Sequence, residues 1–500
     1  DDDLFESTEI IRVRENSFEA IVGELQIYNL STTSDDVKGI AFENFLGKTF
    51  RGELGQFFTP RTVVDFMVEI LDPQESEIIC DPCCGSGGFL IKAFEYVRAK
   101  IENEIHEAKE KIKAEYYTAD YEKASDKKKE EVDDLVNDLF TKLNAELDIN
   151  NPKSRIRELS YDCIFGTDAN PRMSRTAKMN MIMHGDGHGG VHHNDGLLNV
   201  NGIFENRFDI ILTNPPFGSR VEKSLKITEA DKYTDVDRIK KYQKRYGKEY
   251  SKALEQINNN INKPLLSLYE TGKMSTLTEV LFIERCLNLL KTSCGIEVIL
   301  PEGVLNNTNL QKIRDFVESK AKIILITSIP QDVFIASGAT VKPSLLFFKK
   351  FTEEEAKEYN TIAKKAEKEI IKKYQSENKP IVEKLALRGK EAPTKEEKKE
   401  LRAKLKQLQQ KTAIEIKAVI KTEFNYQVPI AEVEKAGIST TGAKIENELE
   451  PLASEFKAFR IDNALWEIPI KEINYPVSEK DISRLRIYDG IAQEPEAFYN

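Results

Sequence analysis

Glu77-Ile78-Ile79-Cys80-Asp81-Pro82-Cys83-Cys84-Gly85-Ser86-Gly87-Gly88-Phe89 sets a short apolar run against a run of turn-forming residues, and helical periodicity resumes at Phe89. The order reads as strand, loop, helix. Glycines at such a junction let the backbone approach a ligand closely at the carboxyl end of the strand, which is where open α/β sheets bind. The loop lacks the Gly-Lys-Ser/Thr ending of a phosphate cradle and does not keep the Gly-x-Gly-x-x-Gly dinucleotide spacing, so neither ATP hydrolysis nor dinucleotide binding is expected of it.

Outward from this loop, apolar runs recur at Cys163 to Gly166, Phe208 to Leu212, Ile296 to Leu300, Ile323 to Ile326 and Leu345 to Phe348, most of them followed by a helical stretch. Strands alternating with helices predict an α/β fold, a doubly wound and mostly parallel sheet. The last two runs lie close together with no obvious helix between them, so they are expected to pair as an antiparallel hairpin at the sheet edge. Two stretches break the rhythm. Arg98 to about Asn150 and Phe351 to about Lys421 are charged and helical, the second broken at Pro380 and Pro393. Neither carries the apolar content of an independent core, and both read as solvated helical hairpins, with a partner-binding arm as the alternative. The expected organisation is a helical N-terminal segment over 1–50 that begins midway through a helical domain, an α/β domain over 51–350 with an insertion at about 98–155, a Lys/Glu-rich stretch over 351–423, and a C-terminal segment over 424–500 that contacts a partner.

With 500 residues, 40% of them hydrophobic, the chain is long enough for a full core and more than one domain. No apolar run approaches a membrane span, and Asp1-Asp2-Asp3 is the opposite of a signal peptide's basic start, so a cytoplasmic address is expected. Six scattered cysteines read as reduced thiols rather than a disulfide framework. The net charge of −11 excludes a protein that grips nucleic acid over its whole surface; if DNA is the substrate, a partner supplies much of the grip.

A second acid closes the next strand, in Gly166-Thr167-Asp168-Ala169-Asn170-Pro171, where its carboxylate can accept both hydroxyls of a ribose. A glycine loop after one strand and an acid after the next describe a nucleoside site. The reacting group is signalled by Asn214-Pro215-Pro216-Phe217, directly after an apolar strand. Two consecutive prolines fix the backbone and remove two amide donors, which leaves the Asn214 side-chain oxygen and the Pro215 carbonyl as acceptors for an NH₂ group. The exocyclic amine of a nucleobase is a poor nucleophile because its lone pair is delocalised into the ring. Two acceptors that hold its hydrogens out of plane free that lone pair, and Phe217 offers a face on which the base can stack once flipped from its duplex.

These residues resemble the amino-group DNA methyltransferases and, within them, the adenine-specific modification subunits of type I restriction-modification systems. The marker is Gly55-Gln56-Phe57-Phe58-Thr59-Pro60-Arg61, one amphipathic helix ahead of the glycine loop. The resemblance implies S-adenosyl-L-methionine as cofactor. Its methionine end is implied to border Gln56, Phe57, Phe58, Thr59, Pro60 and Arg61, the loop with Asp81, Gly85, Ser86, Gly87 and Gly88 to surround it, Asp168 to hold the ribose and Asp195 to meet the adenine. Asn214, Pro215, Pro216 and Phe217 are implied to be catalytic, with methyl transfer to adenine's amino group in DNA. Partners implied are DNA, a specificity subunit and a translocating endonuclease subunit, with two copies of this chain per complex. Two departures stand out, the two charged stretches, both longer than the family leads one to expect; no sequence-reading, nuclease or helicase motif is recognisable, and the resemblance gives those jobs to separate subunits.

Competing readings come from the same residues. His184, His188, His192 and His193 crowd one stretch, and Cys80-Asp81-Pro82-Cys83 has Cys-x-x-Cys spacing, but no second cysteine pair completes a zinc set, so no metal is expected. A methyltransferase for cytosine in DNA, guanine in RNA or a glutamine side chain is the nearest alternative, and a non-catalytic scaffold that keeps the cofactor is a further one.

Overall fold

The computed structural model describes residues 10, 13–27, 41, 59–186, 190–335, 341–388 and 392–465. Its centre is an eight-stranded sheet in the order β3-β2-β1-β4-β5-β7-β6-β8, made of β1 (Ile79–Asp81), β2 (Ile164–Asp168), β3 (Val191–His193), β4 (Phe208–Thr213), β5 (Leu290–Pro301), β6 (Ala321–Ser328), β7 (Pro343–Lys350) and β8 (Ile430–Glu432). From β3 to β5 every neighbouring pair is parallel; β7 alone runs antiparallel, between β5 and β6. The chain builds outward from β1 through β2 to β3, then crosses back to lay β4 on the other side of β1. That reversal opens a crevice at the carboxyl ends of β1 and β4, the place where doubly wound sheets hold ligands.

The α/β class and the parallel sheet agree with the sequence reading, and the six expected strands are present. Two features differ. The β6–β7 pair is antiparallel as expected but does not form the edge, because β8, from beyond the second charged stretch, adds to β6 in parallel. The far edge is β3, three residues of the histidine-rich stretch, where no strand is among the expected runs. Gly190 permits that pairing, since a Cβ there would lie 1.9 Å from the Ile164 carbonyl oxygen.

The sheet is covered on both faces. One side receives α2 (Arg61–Leu71) and α3 (Gly88–Tyr116), with α1 being Glu15–Leu25. On α2, Val63, Val64, Phe66, Met67, Ile70 and Leu71 are all buried, a stripe at helical spacing. The other side is closed by a helix over Thr278–Leu289 and one over Gln311–Glu318.

The first insertion is not simply solvated. α3 runs unbroken from the glycine loop into it, and Ile101, Ile105, Ala108, Ile112 and Tyr116 are buried against Val132, Leu135, Val136, Leu139 and Leu143 of α4 (Asp126–Ala145). One apolar stripe per helix at three- and four-residue spacing suffices to join the hairpin to the main core, although its overall composition is charged. The second insertion is a long antiparallel pair, α5 (Glu353–Ala386) and α6 (Lys395–Glu423), in which Ala366, Tyr374 and Leu408 are the buried residues. Its longer helix extends about 50 Å at 1.5 Å per residue. Helix α5 passes through Pro380 rather than breaking there; the turn instead falls beside Pro393. Thr352 with Glu355 and Thr394 with Glu397 form capping boxes that start the two helices.

The described part of the C-terminal segment packs on the α/β core. Leu449, Ala453 and Phe456 of α7 (Leu449–Asp462) are buried, and Arg460 donates to Asp72 at the end of α2. Among the described residues no helix is long and apolar enough to cross a membrane.

Candidate active site

The crevice between β1 and β4 opens into a cleft of about 730 Å³. Thr59, Asp81, Gly85, Ser86, Gly88, Asp168, Asp195, Asn214, Pro215, Pro216 and Phe217 all line it, so residues spread over 159 positions of sequence meet at one place. Gly87 stands just behind, in the left-handed conformation (φ 86°) that starts α3. Pro60 and Arg61 begin α2 without lining the cleft. Gln56, Phe57 and Phe58 lie outside the described residues.

The loop after β1 is held from two sides. Thr167 on β2 donates its hydroxyl to the Pro82 carbonyl at 2.8 Å, and its own carbonyl accepts from the Cys84 amide at 2.8 Å. Asp168 accepts from the Gly85 amide at 3.1 Å through one carboxylate oxygen and from the Asn170 amide at 2.8 Å through the other. Gly85 itself needs a positive φ of 54°, which a side chain disfavours. Burial raises the Asp168 carboxyl despite these donors. Asp195, also raised by burial, caps the turn that follows by accepting from the Leu197 amide at 2.9 Å.

Beneath the loop lies a chain of polar side chains unexpected from the sequence. Thr213, fully buried and immediately before Asn214, donates to Asp81 Oδ1 at 2.8 Å and meets Cys83 Sγ at 2.9 Å; the Cys83 amide donates to the same Asp81 oxygen at 3.0 Å. The end of β4 is thereby tied to the end of β1. Burial pushes the Asp81 carboxyl up to about 7, against the lowering effect of Thr213 and the Cys83 amide. Because the unfolded group titrates near 3.8, the native chain keeps a proton that the unfolded chain has lost, and this contribution to stability falls as pH rises through that interval. Asp81→Asn cannot titrate. Its unfolding midpoint relative to the parent should therefore rise between about pH 4 and pH 8, measured by urea denaturation at several pH values; a constant difference would place the proton elsewhere.

Asn214 is partly buried and Pro215 buried. The Asn214 amide donates from Nδ2 to Thr59 Oγ1 at 2.9 Å, while its Oδ1 is shielded from solvent and has no partner among the described residues. No described donor reaches the Pro215 carbonyl either. An unmatched buried acceptor costs about 1–3 kcal/mol, so a residue that lines a cleft with one is suited to receiving a donor. Phe217 packs edge-on against Phe334, with ring centroids 6.2 Å apart.

The rest of the wall comes from residues without any motif. Val221, Leu225, Leu265 and Phe282 supply apolar surface. Arg285, fully buried on the Thr278–Leu289 helix, donates to the carbonyls of Gly196 (2.9 Å) and Leu198 (2.8 Å) and to Asn199 Oδ1 (2.8 Å). It fixes the segment after Asp195. In the sequence it is one of several polar residues, with Glu279, Glu284 and Asn288, in a mainly apolar helix, and nothing local marks it. Gly196 must be glycine because a Cβ would fall 1.9 Å from the Pro82 carbonyl oxygen.

Of the histidines considered for zinc, His184 bonds Glu95, His192 meets Asn201, and His193 reaches the Ala169 carbonyl; His188 lies outside the described residues. Among the described residues no three His, Cys, Asp or Glu side chains are grouped to hold a metal ion.

The family model described as N-6 DNA Methylase matches residues 33–127, 143–247 and 245–436, well over half of the chain. The EcoEI type I restriction enzyme methylase subunit of Escherichia coli is 24% identical over 302 residues, covering 60% of this chain and 43% of that protein. The MjaIX type I restriction enzyme methylase subunit of Methanocaldococcus jannaschii is 30% identical over 190 residues, 36% of this chain and 23% of that one. This chain thus spans less than half the length of these relatives. Among solved structures, the type I restriction enzyme EcoKI M protein matches with a TM-score of 0.37 at 20% identity, over 61% of this chain and 46% of that one.

Proposed function

The chain belongs to the N-6 DNA methylase family, and on that premise we propose that it transfers a methyl group from S-adenosyl-L-methionine to the exocyclic amino group of adenine in DNA, as the modification subunit of a type I-like restriction-modification system. The observation that carries this reading is the Asn214 side chain, which lines the cleft with its amide nitrogen engaged and its oxygen unmatched.

The cleft suits the cofactor by its donor set. Asp168 would hold the ribose, Asp195 with the apolar wall of Leu197 and Phe282 would meet the purine, all of them lining the cleft, and the glycine loop would allow close approach. When bound, the cofactor supplies an electrophilic methyl on a sulfonium. The protein's own work is to hold and align: Asn214 Oδ1 and the Pro215 carbonyl accept the two amine hydrogens, Phe217 stacks on the flipped base, and a bound base and cofactor displace water from the cleft. The neutral amine attacks the methyl carbon as the carbon–sulfur bond breaks; the positive charge passes to the amine nitrogen, which then gives up one of its hydrogens as a proton to solvent, so no general base has to form the nucleophile.

In this reading a specificity subunit and a translocating endonuclease subunit complete the system, with two copies of this chain per complex, and the acidic balance of the chain fits a division of labour in which another subunit holds most of the DNA. The test is the destination of label from methyl-labelled cofactor offered host DNA, host RNA and host protein together with the neighbouring candidate specificity protein. Label in DNA is expected; label in RNA or protein alone would overturn the substrate, and cofactor binding without transfer to any of them would favour a scaffold.

A further inference from the structure

Thr59 and Asn214 are 155 positions apart, both line the cleft, and Thr59 Oγ1 accepts the Asn214 amide at 2.9 Å. We propose that Thr59 is a positioning residue for methyl transfer, holding the Asn214 amide in the one orientation that presents its oxygen to the incoming amine; this rests on the function proposed above.

A carboxamide is nearly symmetric in shape, so packing alone selects poorly between its two orientations. In one, Nδ2 meets Thr59 and Oδ1 is left for a donor; in the other, the Thr59 hydroxyl donates to Oδ1 and the NH₂ group faces an amine that is itself a donor. Only the first is compatible with substrate. Thr59 also acts electronically: donation from Nδ2 polarises the amide and makes Oδ1 a stronger acceptor, as in any chain of hydrogen bonds in a low-dielectric site. The neighbouring residue, Thr213, is anchored to Asp81, so backbone and side chain of the Asn214 corner are fixed by different partners. Thr213 sets where the residue is, and Thr59 sets which way its amide points.

Thr59→Val keeps the shape and removes the acceptor, and Thr59→Ser restores it. With label transfer to DNA as readout, Thr59→Val is expected to lower kcat by about tenfold to a hundredfold, to weaken cofactor binding by a clearly smaller factor, since Thr59 lines the same cleft, and Thr59→Ser to recover most of the rate. Thr59→Val should add nothing to Asn214→Ala, since the two act as one unit. A loss of cofactor affinity with unchanged kcat, or effects that multiply in the double variant, would overturn the proposal and make Thr59 a cofactor ligand instead. A second measurement does not depend on turnover or on the reaction assigned. In chain labelled with ¹⁵N-asparagine, the side-chain amide resonance that disappears in Asn214→Ala should shift in Thr59→Val and stay in place in Thr59→Ser. An unshifted resonance in Thr59→Val would reject the role of Thr59 even if methyl transfer were observed, whereas a shifted one with no transfer to DNA would reject the reaction and keep the contact.

Discussion

Asn214→Ala should lower the rate of methyl transfer by about two to three orders of magnitude while cofactor affinity changes by no more than about twofold. The size follows from what the side chain does. In the proposed function it is one of two acceptors that free the amine's lone pair, and removal of one preorganised hydrogen-bonding group from a reacting centre typically costs that much. The separation follows from geometry: Asp168 and Asp195, the acids proposed to meet the cofactor, are held by backbone amides of Gly85, Asn170 and Leu197, none of which depends on Asn214. Single-turnover transfer and calorimetric titration of the cofactor measure the two quantities separately. An equal fall in both would mean that Asn214 shapes the cofactor site and that amine recognition lies elsewhere.

Arg285→Met should destabilise the chain by about 3–5 kcal/mol and weaken cofactor binding along with it. A buried guanidinium replaced by an apolar group of similar length is often tolerated when both members of an ion pair are replaced. Here its main partners are two carbonyls and a side-chain amide oxygen, from Gly196, Leu198 and Asn199, which remain buried after the substitution with nothing to receive from. The segment they belong to begins at Asp195 and presses on Pro82 through Gly196, so its release disturbs both the acid and the glycine loop. Urea denaturation and cofactor titration of the variant measure the two effects; an unchanged unfolding midpoint would show that the segment is held by its own packing, with Arg285 dispensable.

What could be read from the sequence and what could not divides along a physical line. Strands β1, β2 and β4 are apolar runs that end in Asp-Pro, Asp-Ala-Asn-Pro and Asn-Pro-Pro, local chemistry that announces both the strand and its functional end. The loop, the acids and the Asn-Pro-Pro-Phe turn were therefore legible, and the topology brings them to one cleft because all lie at carboxyl ends of parallel strands. Strands β3 and β8 were not legible. Val-His-His and Ile-Ala-Glu are three residues each, too short to show alternation, and they are strands because a neighbour offers an unpaired edge. Pro380 misled in the other direction: a proline in a helix interior usually breaks it, yet the capping boxes and the length of α5 outweigh one missing hydrogen bond. Contacts such as Thr213 with Asp81, Thr59 with Asn214 and Arg285 with Gly196 join positions 132, 155 and 89 apart, and no local pattern marks them.

The most direct test of the central claim is nucleoside analysis of DNA methylated by this chain together with its candidate specificity protein. DNA digested to nucleosides after transfer from labelled cofactor should carry the label in N6-methyladenine, and an Asn214→Ala preparation run in parallel should carry almost none. Label in a methylcytosine, or equal label from the Asn214→Ala preparation, would contradict the account of a cleft built to hold the amine of adenine.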